Sequence, residues 1–231
     1  MPIKTQTFAG PERFGYLAEP ESPARAGVLI LPTIFGVNEF ARGYADMLAN
    51  NGIVGAVWDI NSGLPLTTDY QECIKRARTL NDAGVVGMMN TWVDFMLGEL
   101  RLSAIGTAGF CIGGRFALLL CAGDKRVKAL AAAYPSIEHP RLENQAMDSL
   151  ALAADVTCPV LVIQPGKDHV SQPDTYAILK SSLHKREAPT VWHTYPVAEH
   201  GFMHRPQPDE NVQATRLAAP QMLAFLKACL N

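Results

Sequence analysis

The chain has 231 residues, of which 48% are hydrophobic and 18% charged, with a formal net charge of −2. That balance suits an ordinary globular protein with a large core and excludes the basic excess that nucleic acid or an anionic membrane surface favours. The start, Met1-Pro2-Ile3-Lys4-Thr5-Gln6, lacks the apolar stretch of a signal peptide, and no apolar run is long enough to cross a bilayer, so a cytoplasmic protein is expected.

Two short segments, Ile3 to Phe8 and Arg13 to Ala18, read as an opening hairpin, followed by a buried strand at Ala26 to Leu31. Asn38 can cap a helix carrying Phe40, Tyr44, Met47 and Leu48 on one face, closed by Asn51-Gly52. Ile53 to Trp58 is the next strand. Asn61 to Thr68 reads as loop, and Asp69 to Leu80 and Val85 to Leu97 as helices. Beyond Ala104 to Ala108, strands follow at Val127 to Tyr134, Val160 to Gln164 and Thr190 to Tyr195. Between them a helix is expected near Leu142 to Ala153, and Ser171 with Asp174 reads as a capping box. A terminal helical region, Asn211 to Leu230, should be kinked or split by Pro220. The alternation predicts an α/β fold: a doubly wound, mostly parallel sheet of about seven or eight strands, residues 1–231 forming one domain because no linker divides them.

Cys73, Cys111, Cys121, Cys158 and Cys229 are odd in number, widely spaced and never in C-x-x-C form, arguing against a disulfide framework or a zinc site. Cys111 stands apart. It lies in Gly109-Phe110-Cys111-Ile112-Gly113-Gly114, between a strand and a helix-forming run. A buried cysteine packing as a small hydrophobe would leave the glycines unexplained, since each costs about 1 kcal/mol in a regular helix. Small residues around a nucleophile permit a sharp strand-to-helix turn that exposes the side chain and aims the next N–H at a developing oxyanion.

A thiol nucleophile needs a base, and the base an orienting acid. Ordered as nucleophile, acid and histidine on successive strand ends, the candidates are Asp168, in the turn after Val160 to Gln164, and His200, after Thr190 to Tyr195. His204 competes with His200 from a less favourable offset. The N–H of Ile112 and that of Ile34, in the loop after Leu31, are the expected oxyanion donors.

Together the Ile34-Phe35-Gly36-Val37-Asn38 loop, the Cys111 elbow, Gly166-x-Asp168 and His200-Gly201-Phe202 resemble the dienelactone hydrolase family over nearly the whole chain. The resemblance implies an α/β-hydrolase fold without a large lid, a Cys-His-Asp triad and no cofactor. Characterised members open a conjugated lactone. The family's glutamate before the Ile-Phe-Gly-Val-Asn loop is Thr33 here, and its arginine four residues beyond the catalytic histidine is His204, with Arg205 next. A second family arginine, which holds the substrate carboxylate, finds a loose match in Arg76 or Arg78, though a charged helix face explains both equally well. Thr33, Phe35, Arg76, Arg78, Tyr134, His204 and Arg205 are thus the substrate-contact candidates, and no metal ligands are expected.

The expected reaction is cleavage of a small ester or lactone through a thioester. The rivals are a broad carboxylesterase or thioesterase on activated esters, and a weakly active small-ligand-binding homologue. Neither nucleic acid nor membrane is an expected partner, and the chain should be a monomer or small homo-oligomer.

Overall fold

The computed structural model describes residues 2–10, 13–205 and 207–230. Eight strands form one sheet: β1 (Ile3–Gly10), β2 (Arg13–Pro20), β3 (Ala26–Leu31), β4 (Val54–Trp58), β5 (Ala104–Phe110), β6 (Val127–Ala133), β7 (Val160–Lys167) and β8 (Thr190–Glu199), in the order β1-β2-β4-β3-β5-β6-β7-β8. The β1–β2 and β2–β4 pairings are antiparallel and the rest parallel, so the carboxyl ends of β3 to β8 open on one rim, where ligands of such sheets sit.

The helices are α1 (Glu39–Asn50), α2 (Tyr70–Thr79), α3 (Asp82–Gly98), α4 (Ile112–Gly123), α5 (Ser149–Leu152), α6 (Pro173–Leu183) and α7 (Asp209–Leu230). Asn38 caps α1 by accepting from Ala41 N at 3.0 Å, and Gly52 turns the chain away at φ +81°. Asp69 and Asn81 cap α2 and α3 in the same way.

Strand residues alternate between two cores. Leu29, Leu31, Ile105 and Val162 pack with α3, α4 and α6, through Trp92, Phe116 and Leu179 among others. Val28, Ile30, Phe110 and Ile163 pack with α1 and α7, through Tyr44, Leu48, Met222 and Leu226. Helices therefore cover both faces, as parallel strands require.

Three local expectations are corrected. The helix near Leu142 to Ala153 is only the short α5 followed by a 3-10 turn, because residues 138–148 run as irregular chain pinned by side chains, Arg141 donating to the Ala146 carbonyl at 2.9 Å. Helix α7 is not split at Pro220, which sits on its exposed side, as does Arg216 four residues back, whose carbonyl loses the usual hydrogen bond. Ser171 caps nothing, for the N-cap of α6 is Gln172, and the Ser171 hydroxyl works elsewhere. Among the described residues, no helix is long and apolar enough to cross a membrane.

Candidate active site

Strand β5 runs into α4 through Cys111, at φ +57° and ψ −123°. A non-glycine residue there costs about 1–3 kcal/mol and persists only where its surroundings force it. A Cβ on Gly113 would lie 2.0 Å from the Leu31 carbonyl oxygen, so only glycine lets the first turn of α4 pass against the end of β3 and the Ile34 loop. A Cβ on Gly114 would lie 2.9 Å from Pro135 Cα, on the chain leaving β6. The elbow is thereby wedged between two neighbouring strand ends, with the Cys111 sulfur at the N-terminus of a helix, where a negative charge is favoured.

Asp168, immediately after β7, and His200, immediately after β8, meet at this rim. His200 Nδ1 lies 3.0 Å and 3.1 Å from the two Asp168 carboxylate oxygens. The carboxylate also accepts from Tyr176 Oη at 2.7 Å and from the backbone N–H groups of Val170 and Ser171 at 2.8 and 3.0 Å. Burial works against its charge, but His200, Tyr176 and the Ser171 N–H outweigh that and hold it below the usual carboxylate range.

The other ring nitrogen, Nε2, is 3.3 Å from Ser136 Oγ, which is 3.0 Å from Cys111 Sγ. Burial also opposes a charge on either end of this chain. The hydrogen bond and charge of His200, the Ser136 hydroxyl and the Ile112 N–H nevertheless pull the Cys111 thiol below its ordinary value. Against the same desolvation, Asp168 and the sulfur push His200 up to about 9. Both shifts favour a thiolate beside an imidazolium at neutral pH.

The cleft over these groups is walled by apolar side chains, Phe35, Ile74, Leu80, Ile112, Phe116 and Leu142, with Arg78, Arg205 and Glu138 supplying charge. Thr33 and Ile34 line it too. Thr33 is buried and organises the loop, its Oγ1 accepting from Phe35 N at 3.3 Å and its carbonyl from Gly36 N at 3.0 Å. His204 packs against Phe35 and Phe40, and burial, with the charges of Arg205 and His200, lowers it to about 4, leaving a neutral ring.

Two substrate-contact expectations are corrected. Arg76 does not line the cleft, because its guanidinium is held by Glu72 at 3.0 Å and by the Pro65 carbonyl at 2.8 Å. Tyr134 is fully buried behind the site, its ring 5.4 Å from that of His200 and its hydroxyl 3.5 Å from His204 Nδ1. Conversely, Ser136, Tyr176 and the exposed His169, whose ring lies 5.7 Å from His200, join the site without having been singled out as site residues in the sequence. Only His169 carried a signal, its place beside Asp168.

A second buried pair lines the same cleft. Arg115 donates to both Asp82 oxygens at 2.7 and 2.9 Å and to the Met147 carbonyl at 3.0 Å, while Met147 N donates back to Asp82 at 2.7 Å. Among the described residues, no group of three His, Cys, Asp or Glu side chains could hold a metal ion.

The sequence model of the dienelactone hydrolase family matches residues 14–230. A Bradyrhizobium protein described as a probable 2-oxo-3-(5-oxofuran-2-ylidene)propanoate lactonase is 29% identical over 165 residues, 69% of this chain. The match spans 66% of that relative, just under two thirds of its length. Carboxymethylenebutenolidase 2 of Cupriavidus pinatubonensis is 36% identical over 112 residues, covering 47% of this chain and 44% of its own. The crystal structure of a candidate dienelactone hydrolase from Klebsiella pneumoniae superposes with a TM-score of 0.88 at 22% identity, over 98% of this chain and 99% of that one, which establishes the shared fold.

Proposed function

This chain belongs to the dienelactone hydrolase family, and we propose that it cleaves a small activated ester or lactone, with Cys111 as nucleophile, His200 as acid and base, and Asp168 orienting the imidazole. The observation that carries this reading is the Asp168–His200 pair, buried at 3.0 Å, with the free imidazole nitrogen directed through Ser136 to a sulfur held on a strained elbow.

The thiolate attacks the carbonyl carbon, and the N–H groups of Ile34 and Ile112 stabilise the oxyanion. A thiolate is itself a good leaving group, so the tetrahedral intermediate reverts unless the departing oxygen is stabilised too. The imidazolium of His200 supplies its proton, and enol or phenol leaving groups, which need less help, react faster than alkoxides. In a lactone the departing oxygen stays tethered to the acyl chain. Water then hydrolyses the thioester with His200 as base.

Family membership alone leaves the substrate open. The cleft supports a small, largely apolar acyl group, with Arg78 and Arg205 able to attract a negative one. Five free cysteines support a reducing, cytoplasmic setting, and the reading treats residues 1–231 as one domain acting as a monomer or small homo-oligomer. The test is stopped-flow hydrolysis of p-nitrophenyl acetate. Wild type should give a burst of nitrophenolate followed by slower turnover, and Cys111→Ala should lose the burst and about 10⁴-fold or more of turnover. Undiminished turnover in Cys111→Ala would refute the mechanism.

A further inference from the structure

The triad as a sequence predicts it has three members, yet a fourth polar group lies within hydrogen-bond distance of two of them. We infer that the Ser136 hydroxyl is a catalytic proton relay, passing the Cys111 proton to His200. This rests on the reading of Cys111 as the nucleophile.

The distances are 3.0 Å from Oγ to Sγ and 3.3 Å from Oγ to Nε2, and Ser136 is 7% exposed, so few waters can compete for its hydroxyl. A hydroxyl carries one proton and two acceptor lone pairs, so it can accept from one neighbour while donating to the other. With the thiol neutral, S–H donates to Oγ and O–H donates to Nε2. After transfer, Nε2–H donates to Oγ and O–H donates to the thiolate. The S–H bond breaks as a new O–H bond forms, and the original O–H bond breaks as N–H forms. One proton moves from sulfur to nitrogen, the serine is regenerated, and no electrons change hands.

The loop carrying Ser136 is also fixed more firmly than a filler needs. Ser136 N donates to the Cys111 carbonyl at 2.9 Å, tying the serine to the elbow itself. The Ser171 hydroxyl, buried beneath, donates to the Pro135 carbonyl at 2.8 Å and accepts from Ile137 N at 2.8 Å, stapling the residues on either side. Tyr134, two residues earlier, is held at φ +40°, a conformation a bulky residue adopts only under constraint. These contacts join β6 to the acid loop after β7, so the strand ends that position Asp168 also position Ser136.

The other titratable or charged groups around the couple are Asp168, Tyr176, Tyr134, His169, His204 and Arg205, with Glu138, Arg78 and the Arg115–Asp82 pair further along the cleft. All stay unchanged in the variants that test the relay. In the full chain, the burst rate with p-nitrophenyl acetate is measured for wild type, Ser136→Ala, Ser136→Thr and Cys111→Ala, and the pH midpoint for iodoacetamide alkylation of Cys111 for the first three. Ser136→Ala should slow the burst by roughly tenfold or more and move the alkylation midpoint up by about one pH unit, with KM little changed. Ser136→Thr, which keeps the hydroxyl, should recover most of both effects. If Ser136→Ala fails to fold, Ser136→Gly serves as the hydroxyl-free variant with the same expectation.

A hydroxyl-free variant with wild-type burst rate and midpoint overturns the relay, as does one whose burst slows while its midpoint stays put. Faster alkylation in that variant also overturns it, because the hydroxyl would then be shielding the sulfur. Cys111→Ala separates the two levels: if it keeps its burst, the nucleophile assignment fails, whereas a silent Cys111→Ala beside an unaffected Ser136→Ala removes the relay alone.

Discussion

Two buried pairs of charged groups line one cleft, and the chain uses them differently. Arg115 grips Asp82 through two hydrogen bonds and shares the Met147 backbone with it, joining the start of α3, the first turn of α4 and the chain before α5. Burial opposes the Asp82 charge, and Arg115 with Met147 N overcomes it, so the carboxylate stays ionised. His200 and Asp168 are as deeply buried, with side chains 4% and 3% exposed against 2% and 3% for Arg115 and Asp82. Yet the imidazole can lose its proton as pH rises through about 9, and its second nitrogen is directed toward the Ser136 hydroxyl and the Cys111 sulfur beyond it. Burial and pairing are common to both; the titrating partner and the open-ended hydrogen-bond chain distinguish chemistry from scaffolding.

The contrast breaks if the two pairs respond alike to substitution. Asp168→Asn should lower kcat by about 10³- to 10⁴-fold, because the amide no longer fixes the imidazole tautomer, while thermal unfolding changes far less. Arg115→Met should do the reverse, lowering stability by about 3–5 kcal/mol in urea titrations because Asp82 is left charged, buried and unpaired. Replacing both Arg115 and Asp82 by apolar residues should restore much of that loss, whereas no double apolar replacement restores turnover at the triad. A smaller effect sharpens the contrast. In the proposed mechanism the imidazolium is the acid for the leaving group, and its folded value of about 9 lies above the ordinary 6.5. The acid is therefore present below pH 9 and lost as pH rises through it, so kcat/KM, corrected for spontaneous hydrolysis, should fall above about pH 9. In His200→Gln the Cys111 alkylation midpoint should return to an ordinary thiol value near ~8.5 or above.

The strands, the glycine elbow and the placement of Asp168 and His200 at strand ends were legible in the sequence because each leaves a local trace. Apolar runs mark buried parallel strands, and glycines crowd where α4 must pass the β3 loop, as the 2.0 Å clearance at Gly113 explains. Ser136 left none. A serine after a strand has many uses, and its meeting with Cys111 depends on β6 lying beside β5 and on Tyr134 turning the chain at φ +40°. Arg76 failed as a cleft residue for a related reason: a helix face shows which residues are neighbours, but not that Glu72 holds that guanidinium. The Leu142 to Ala153 stretch had helical composition, yet Arg141 just before it bonds to the Ala146 carbonyl, Asn144 to the Leu80 carbonyl and Gln145 to Glu138, and a helix starts only after the Asp148 cap.

Half-buried Cys111 and buried Ser136 are hydrogen-bonding groups at the same rim, and each has the chemistry to carry an acyl group. Acid-quenching the enzyme during turnover of p-nitrophenyl acetate, digesting it with trypsin and weighing the peptides assigns the acetyl group, since cleavage after Arg101, Arg115, Lys128 and Arg141 puts Cys111 in residues 102–115 and Ser136 in residues 129–141. A hydroxylamine-sensitive acetyl on the 102–115 peptide, absent from Cys111→Ala, is the predicted result. An acetyl on the 129–141 peptide instead would contradict the thiolate mechanism.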